Sequence, residues 1–451
     1  MRGLLAVVLG ALSVLGSVDG AGTPSSTKAP QFQTLPPLRE QAELVDAWTE
    51  ERKALIPGLL RKYGVGAWLM SQREYAEDTV FWALKEATQF SARRRTTHLF
   101  LADPKPGTPP AYSWIENTDA VWTELRHVLE EQQPASIALN THSEIAFSGG
   151  LHAGELDMIS AALGKEWSDR FVLKAMLAVE VIATMVPGRL PWYRKMQETS
   201  WAIIEEAFSE KTIVPGESTA WDIEWWMREK IQSLNYTTWF QPSVFIVTED
   251  DFPAMRDDPR APDHIIRYGD LIHTDFGVSA LGMNTDTQHL GYVLYPGETK
   301  ADVPQGMVDG LKKVNRLQDI VKDNMIIGMT GNEILKAALE QMHSEDIEGK
   351  IYCHATGEWG HSAGTVIGMT NLQDNVPVLG DLPLLKDTYY SIELFAEHFV
   401  PERNQTLKFA QEEDVYWDNE TNRWEWVYGR QEELLLVRTP ADDTSQGPAE
   451  L

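Results

Sequence analysis

An α+β architecture in two unequal parts is what this sequence predicts, with a smaller α/β domain leading into a larger domain of internal pseudo-symmetry. Three observations predict it. Residues 39–185 alternate short apolar runs with helix-like stretches, the rhythm of a sheet covered by helices. From about residue 186 the pattern becomes two amphipathic helices followed by strands, and that order then repeats. The third observation is a set of five metal-ligating side chains confined to the second part: Asp275, Asp286, His361, Glu393 and Glu412.

Taken in order, residues 1–20 read as a secretory signal, with Arg2 before an apolar run over 4–18 and Gly20, Ala21 and Gly22 after it. That run is shorter than the ~20 residues of a membrane span. Residues 21–38, rich in Pro, Ser, Thr and Gly, read as a flexible leader. In the smaller domain, 43–61 is helical, with Leu44, Trp48, Leu55 and Leu59 on one face. The runs 67–70, 98–102 and 136–139 read as strands and 120–131 as a helix. His98, His127, His142 and His152 fall in different elements and read as structural.

The larger domain, 186–440, opens after Val186-Pro187-Gly188. Its first helix carries Trp201, Ile204 and Phe208; its second is capped by Ser218 or Thr219 and lined by Ile223, Met227 and Ile231. Trp221, Trp225 and Trp226 read as core, and Trp239 and Phe240 as walls of a pocket. Residues 304–323 and 331–344 form the second helix pair, followed by strands bearing Glu393 and Glu412 and one near 433–438. Residues 441–451 read as a disordered tail.

Composition narrows the function. With 43% hydrophobic and 24% charged residues the 451-residue chain is globular. A net charge of −28 argues against nucleic acid and anionic membrane as partners, because both demand basic surface. Cys353 is the only cysteine, so packing and metal rather than a disulfide must stabilise the fold. The acceptor triplets at Asn235, Asn404 and Asn419, together with the leader, point to a secreted, extracellular glycoprotein.

Four carboxylates and one imidazole are what two adjacent divalent cations need: hard donors and roughly balanced charge. Asp275 lies in DLIHTDFG and Asp286 eleven residues later in MNTDTQHLGYVL. His361 closes GEWGH before Ser362-Ala363-Gly364, Glu393 lies in YYSIELF, and Glu412 opens EEDVYW. The bland alternative, surface charges, fits poorly with acids inside apolar strands, since buried carboxylates need partners.

These motifs, five in order, resemble the creatinase/methionine-aminopeptidase superfamily, the pita-bread fold of methionine aminopeptidase, prolidase and aminopeptidase P, over residues 190–440. The region before them is similar to the smaller N-terminal domain of the prolidase-like and aminopeptidase P-like members. The resemblance implies two divalent ions per chain, manganese first, with zinc, cobalt or iron as alternatives, and a homodimer as one assembly open to it. It implies that Glu393 handles protons. Two substrate histidines of that family have no match: none lies at 255–259, and Gly368 stands seven residues after His361. His354 and His289 are the imidazoles able to compensate, and Gln288-His289 replaces an arginine the family carries after its second aspartate. Glu393 and His354 are therefore the candidate catalytic groups. The implied function is a secreted dinuclear hydrolase of Xaa-Pro aminopeptidase or prolidase type acting on short peptides. The alternatives are a hydrolase or lyase for a non-peptide small molecule, and a non-enzymatic binding protein on the same scaffold.

Overall fold

The computed structural model describes residues 29–249 and 264–439. The signal at 1–20, the leader as far as 28, the stretch 255–259 and the tail 441–451 lie outside the described residues. Residues 29–37 are not a free leader. The Gln33 amide N–H donates to Thr199 Oγ1 at 3.0 Å, its side chain donates to Glu198 Oε2 at 2.6 Å, and the Tyr236 hydroxyl donates to the Gln33 carbonyl. Phe32 and Leu35 pack on the core beneath. Composition hides this contact, because two apolar residues among prolines order the chain only once a groove exists to receive them.

Pro37 precedes the first helix, α1 (Leu38–Lys62), one turn longer at its start than the periodicity predicts. The smaller domain then forms a five-stranded sheet from β1 (Ala67–Gln72), β2 (Thr96–Leu101), β3 (Ala111–Trp114), β4 (Ile137–Leu139) and β5 (Phe171–Leu173), in the order β3-β2-β1-β4-β5. Helices α2 (Thr79–Leu84), α3 (Ala120–Gln132), α4 (Ala153–Leu163), α5 (Lys165–Ser168) and α6 (Ala175–Ala183) cover it. The central strand β1 shows why both faces are covered. Trp68 and Met70 enter one core with α1, α2 and α6, while Ala67 and Leu69 enter another with α3 and α4.

The larger domain begins with α7 (Leu190–Ala207) and α8 (Ala220–Ser233), followed by β6 (Ser243–Ile246), β7 (Leu271–Phe276), the small hairpin β8 (Ser279–Ala280) and β9 (Met283–Asn284), and β10 (Thr287–Val293). The order then recurs. Helices α9 (Gln305–Asn324) and α10 (Gly331–Ser344) precede β11 (Gly349–Ile351), β12 (Cys353–Thr356), β13 (Val366–Ile367), β14 (Tyr389–Val400), β15 (Gln405–Asp418), β16 (Arg423–Trp426) and β17 (Leu435–Val437). The second helix of each pair starts with the same device, a capping box: Thr219 with Asp222, and Thr330 with Glu333.

One ten-stranded sheet joins the halves, running β13-β12-β14-β15-β10-β7-β6 with β11 on β14, β16 on β15 and β17 on β10, and each helix pair buries its apolar stripe against it. Val314 and Leu317 of α9 belong to one core and Ile203 and Ile204 of α7 to the other. Trp225 departs from expectation. It is 48% exposed and stacks with Arg228 on the outer face of α8, whose buried side is Ile223, Met227 and Ile231. Among the described residues no helix is long and apolar enough to cross a membrane.

Candidate metal centre

Strand pairing brings the donors together. Asp275 of β7 stands opposite Gln288 of β10, Gln288 opposite Glu412 of β15, and Glu412 opposite Glu393 of β14. Directly opposed side chains share a face at about 4.5–5.5 Å between Cβ atoms, so these four form one row across the sheet. Asp286 precedes Gln288 by two residues and joins the same face. His354 of β12 is paired with Ser391 of β14, two residues before Glu393.

Two donor groups result: Asp286, His354 and Glu412 in one, and Asp275, Glu393 and Glu412 in the other, with donor atoms in each within 4.8 Å of one another. His354 Nε2 lies 3.6 Å from Asp286 Oδ2, 3.5 Å from Glu412 Oε1 and 3.9 Å from Glu393 Oε2. Its Nδ1 sits 2.9 Å from the Ala355 carbonyl, which assigns the Nδ1–H tautomer and leaves an Nε2 lone pair facing the carboxylates. Asp275 Oδ1, Asp286 Oδ1 and His354 Nε2 are buried without a hydrogen-bond partner. A lone pair and carboxylate oxygens turned toward one another are mutually repulsive unless a cation or protons lie between them. The donor set therefore fits a divalent metal.

The electrostatics agree. Burial pushes the carboxyls of Asp275, Asp286 and Glu393 well above the usual carboxylate range, and the Glu412 charge raises each further. A supporting layer fixes the row from behind. Ser391 donates to Glu412 Oε1 at 2.5 Å, and Asp414 accepts from the Tyr193 hydroxyl at 2.9 Å and from the Asp286 N–H at 3.1 Å. His289 belongs to this layer and not to the substrate side. It alternates away from Gln288 and bonds Glu413 at 2.7 Å, under the ring of Trp201. Burial holds its imidazole down to about 3, so it is neutral.

Of the two histidines, His354 joins a donor group and His361, the expected imidazole ligand, does not, although both line the same cavity. His361 lies past β12 at the mouth of the same cavity, its ring 4.5 Å from that of His354 and 5.0 Å from Trp239. The loop reaches this place because Gly360 has no side chain; a Cβ there would sit 2.1 Å from the Trp239 ring. The sequence does hold a signal for His354. In β12, period-two alternation sends Cys353 to the core and His354 to the donor face. Gln288, absent from the expected site, donates from Nε2 to both Glu393 Oε1 and Glu412 Oε2.

The donors floor a cavity of about 590 Å³. Its walls are apolar: Trp239 and Phe240 as expected, Leu379 and Leu382, and Ile145 and Phe147 from the smaller domain. No lysine or arginine lines it among the described residues. The two domains are tied beside this cavity by Glu358, a buried carboxylate held by Arg52 of α1 and by Arg189 just before α7. Burial alone would raise that carboxyl, but the two arginines outweigh it and hold it low.

A helix pair with strands, repeated around one sheet, and a carboxylate–imidazole cage on that sheet define the class of pita-bread, metallopeptidase-like hydrolases. Residues 192–416 match the model of Metallopeptidase family M24, and through this domain the chain belongs to that family. The fold is similar to that of an X-Pro aminopeptidase from Thermotoga maritima, at TM-score 0.59 and 16% identity over 84% of this chain and 99% of that one. A Xaa-Pro dipeptidase from Bacillus anthracis aligns at TM-score 0.56 and 14% identity over 86% of this chain and 100% of that one. A point variant of aminopeptidase P from Escherichia coli aligns at TM-score 0.54 and 11% identity over 86% and 96%. No curated protein sequence matches the chain.

Proposed function

We propose that this protein is a secreted, divalent-metal-dependent hydrolase of short Xaa-Pro peptides. The observation that carries the reading is the buried cage itself, with donor atoms left unpartnered at the floor of an apolar cavity. Asp286, His354 and Glu412 would hold the ion, and the oxygen-rich set favours manganese over zinc, cobalt or iron. A cation there supplies polarisation of the scissile carbonyl and a water acidic enough to attack near neutral pH.

The chain's own residues do the rest. Glu393, its carboxyl raised by burial, takes a proton at Oε2, the oxygen facing His354, and returns it to the leaving amine. His361 and Trp239 stand on the substrate side of the cavity and orient the peptide over the floor. Glu144 lines the cavity and suits a substrate α-amino group, whereas no lysine or arginine among the described lining residues awaits a free carboxylate. That favours peptides extending beyond a dipeptide. The same lack of cations favours a second reading, an uncharged non-peptide substrate. A purely binding role would be marked by lost donors, and none is lost.

Secretion is supported by the apolar run at 4–18 and by the three acceptor triplets, whose Asn235, Asn404 and Asn419 are all exposed. The test of activity is a manganese-reconstituted assay on Xaa-Pro dipeptides, longer Xaa-Pro peptides and aminoacyl amides. Longer peptides are expected to exceed dipeptides in kcat/KM by about tenfold, the ~1.4 kcal/mol of an unpaired carboxylate. Metal-loaded protein inactive on all three would end the peptidase reading.

A further inference from the structure

The two donor groups are unequal, and Gln288 makes them so. Its backbone sits at the centre of the donor row, opposite Asp275 on one side and Glu412 on the other. The side chain is 3% exposed. Its Nε2 lies 2.6 Å from Glu393 Oε1 and 2.8 Å from Glu412 Oε2, using both amide hydrogens on two of the three carboxylates in the second group. The two carboxylates determine the orientation of the amide, since only its NH2 can donate to them, and its Oε1 then faces His273 Nε2 at 3.0 Å. An amide oxygen only accepts, so His273 Nε2 carries the hydrogen between them. Flipping the amide would turn its oxygen onto two carboxylates and its NH2 onto an N–H donor.

In the group of Asp286, His354 and Glu412 the protein's donors reach only Glu412, from Gln288 and Ser391. Asp286 Oδ1 and His354 Nε2 have no protein partner there, whereas in the other group the amide leaves Asp275 Oδ1 without one. We propose that the Gln288 carboxamide stands in for a second cation, closing the site at Asp275, Glu393 and Glu412, so that the centre takes one divalent ion per chain at Asp286, His354 and Glu412. A second ion would compete with the amide for Glu393 Oε1 and Glu412 Oε2, and displacing the amide would strand its two donors in a buried site. The chemistry then runs on a single ion, with Gln288 supplying the partial positive charge that holds the carboxylates of the row together. This rests on the reading of the cage as a metal site.

The experiment is metal counting on the full chain, stripped with chelator, loaded with excess manganese and desalted, then read by elemental analysis, calorimetric titration and electron paramagnetic resonance. The wild type is expected to hold one ion with the six-line spectrum of isolated manganese. Gln288→Thr, which cannot reach both carboxylates, is expected to hold two, with a spin-coupled spectrum and binding of the second equivalent tightened about 10–100-fold. If the threonine variant does not fold, Gln288→Asn, one methylene too short, reads the same quantity. Two ions with a coupled spectrum in the wild type overturn the proposal but leave the metal-site reading intact. A folded variant that still takes one ion also overturns it. A wild type that binds none overturns both.

Discussion

The smaller and larger domains each bury acids, and they treat them in opposite ways. In the smaller domain Glu155 is 1% exposed and fully answered: Arg95 grips it at 2.8 Å, Ser71 donates at 2.7 Å, and Arg73 approaches to 3.3 Å. Burial would raise its carboxyl, but these partners together outweigh burial and hold it below the usual range. In the larger domain Asp275, Asp286 and Glu393 gather around Glu412 with no lysine or arginine beside them among the described lining residues, and burial drives them up. The difference teaches which buried charge is architecture and which is a site. Paired acids complete a fold, whereas acids left facing one another await a cation.

The strongest way to break this comparison is to delete a donor from the open group. Asp286→Ala or His354→Ala is expected to abolish manganese binding in calorimetry and to reduce turnover by at least ~10³-fold, with the fold retained by circular dichroism. Retained turnover in either variant would remove that residue from the centre. Next in size is Glu155→Gln, which strands Arg95 in the interior. It is expected to cost about 3–5 kcal/mol in denaturant unfolding, with metal stoichiometry unchanged. Equal effects on stability and metal content would erase the distinction between the two kinds of acid.

The subtlest test is the sign of the pH dependence. Carboxyls raised in the folded state bind more protons folded than unfolded, so metal-free protein should lose stability as pH rises above the usual carboxylate range. The contribution of Glu155 runs the other way: its folded value is lowered, so its stabilisation is present above the unfolded value and lost as pH falls through the folded one. Chelated protein is therefore expected to melt several degrees lower at pH 8 than at pH 5.5, and manganese should flatten that trend by taking the protons' place. A chelated protein whose melting point rises between those values would show that the raised carboxyls do not govern its stability.

Much of this was legible in the sequence, for local reasons. The helix pairs at 304–323 and 331–344 follow from apolar spacing and caps, and the structure has them at Gln305–Asn324 and Gly331–Ser344. All four carboxylates of the cage stood out because acids inside apolar strands are anomalous. The choice between His354 and His361 did not, because it depends on which strand pairs with β14 and in what register, a non-local quantity. Gln288 was passed over for the same reason: a glutamine is unremarkable until pairing puts it between Asp275 and Glu412. Trp225 misled in the other direction, since a large aromatic ring can lie outside when an arginine stacks on it.

The grip on Glu358 makes the smaller domain more than an appendage. One carboxylate, shared by Arg52 from the first helix and Arg189 from the junction, sits three residues before His361, and Asn284 holds the carbonyls of Gly357 and Glu358 from beneath. Excising residues 29–185 would leave every ion-binding donor in place yet remove half of that clamp and the Ile145 and Phe147 wall. The machinery is thus distributed: one domain furnishes the reactive floor, and the other furnishes a wall and steadies the loop at its rim.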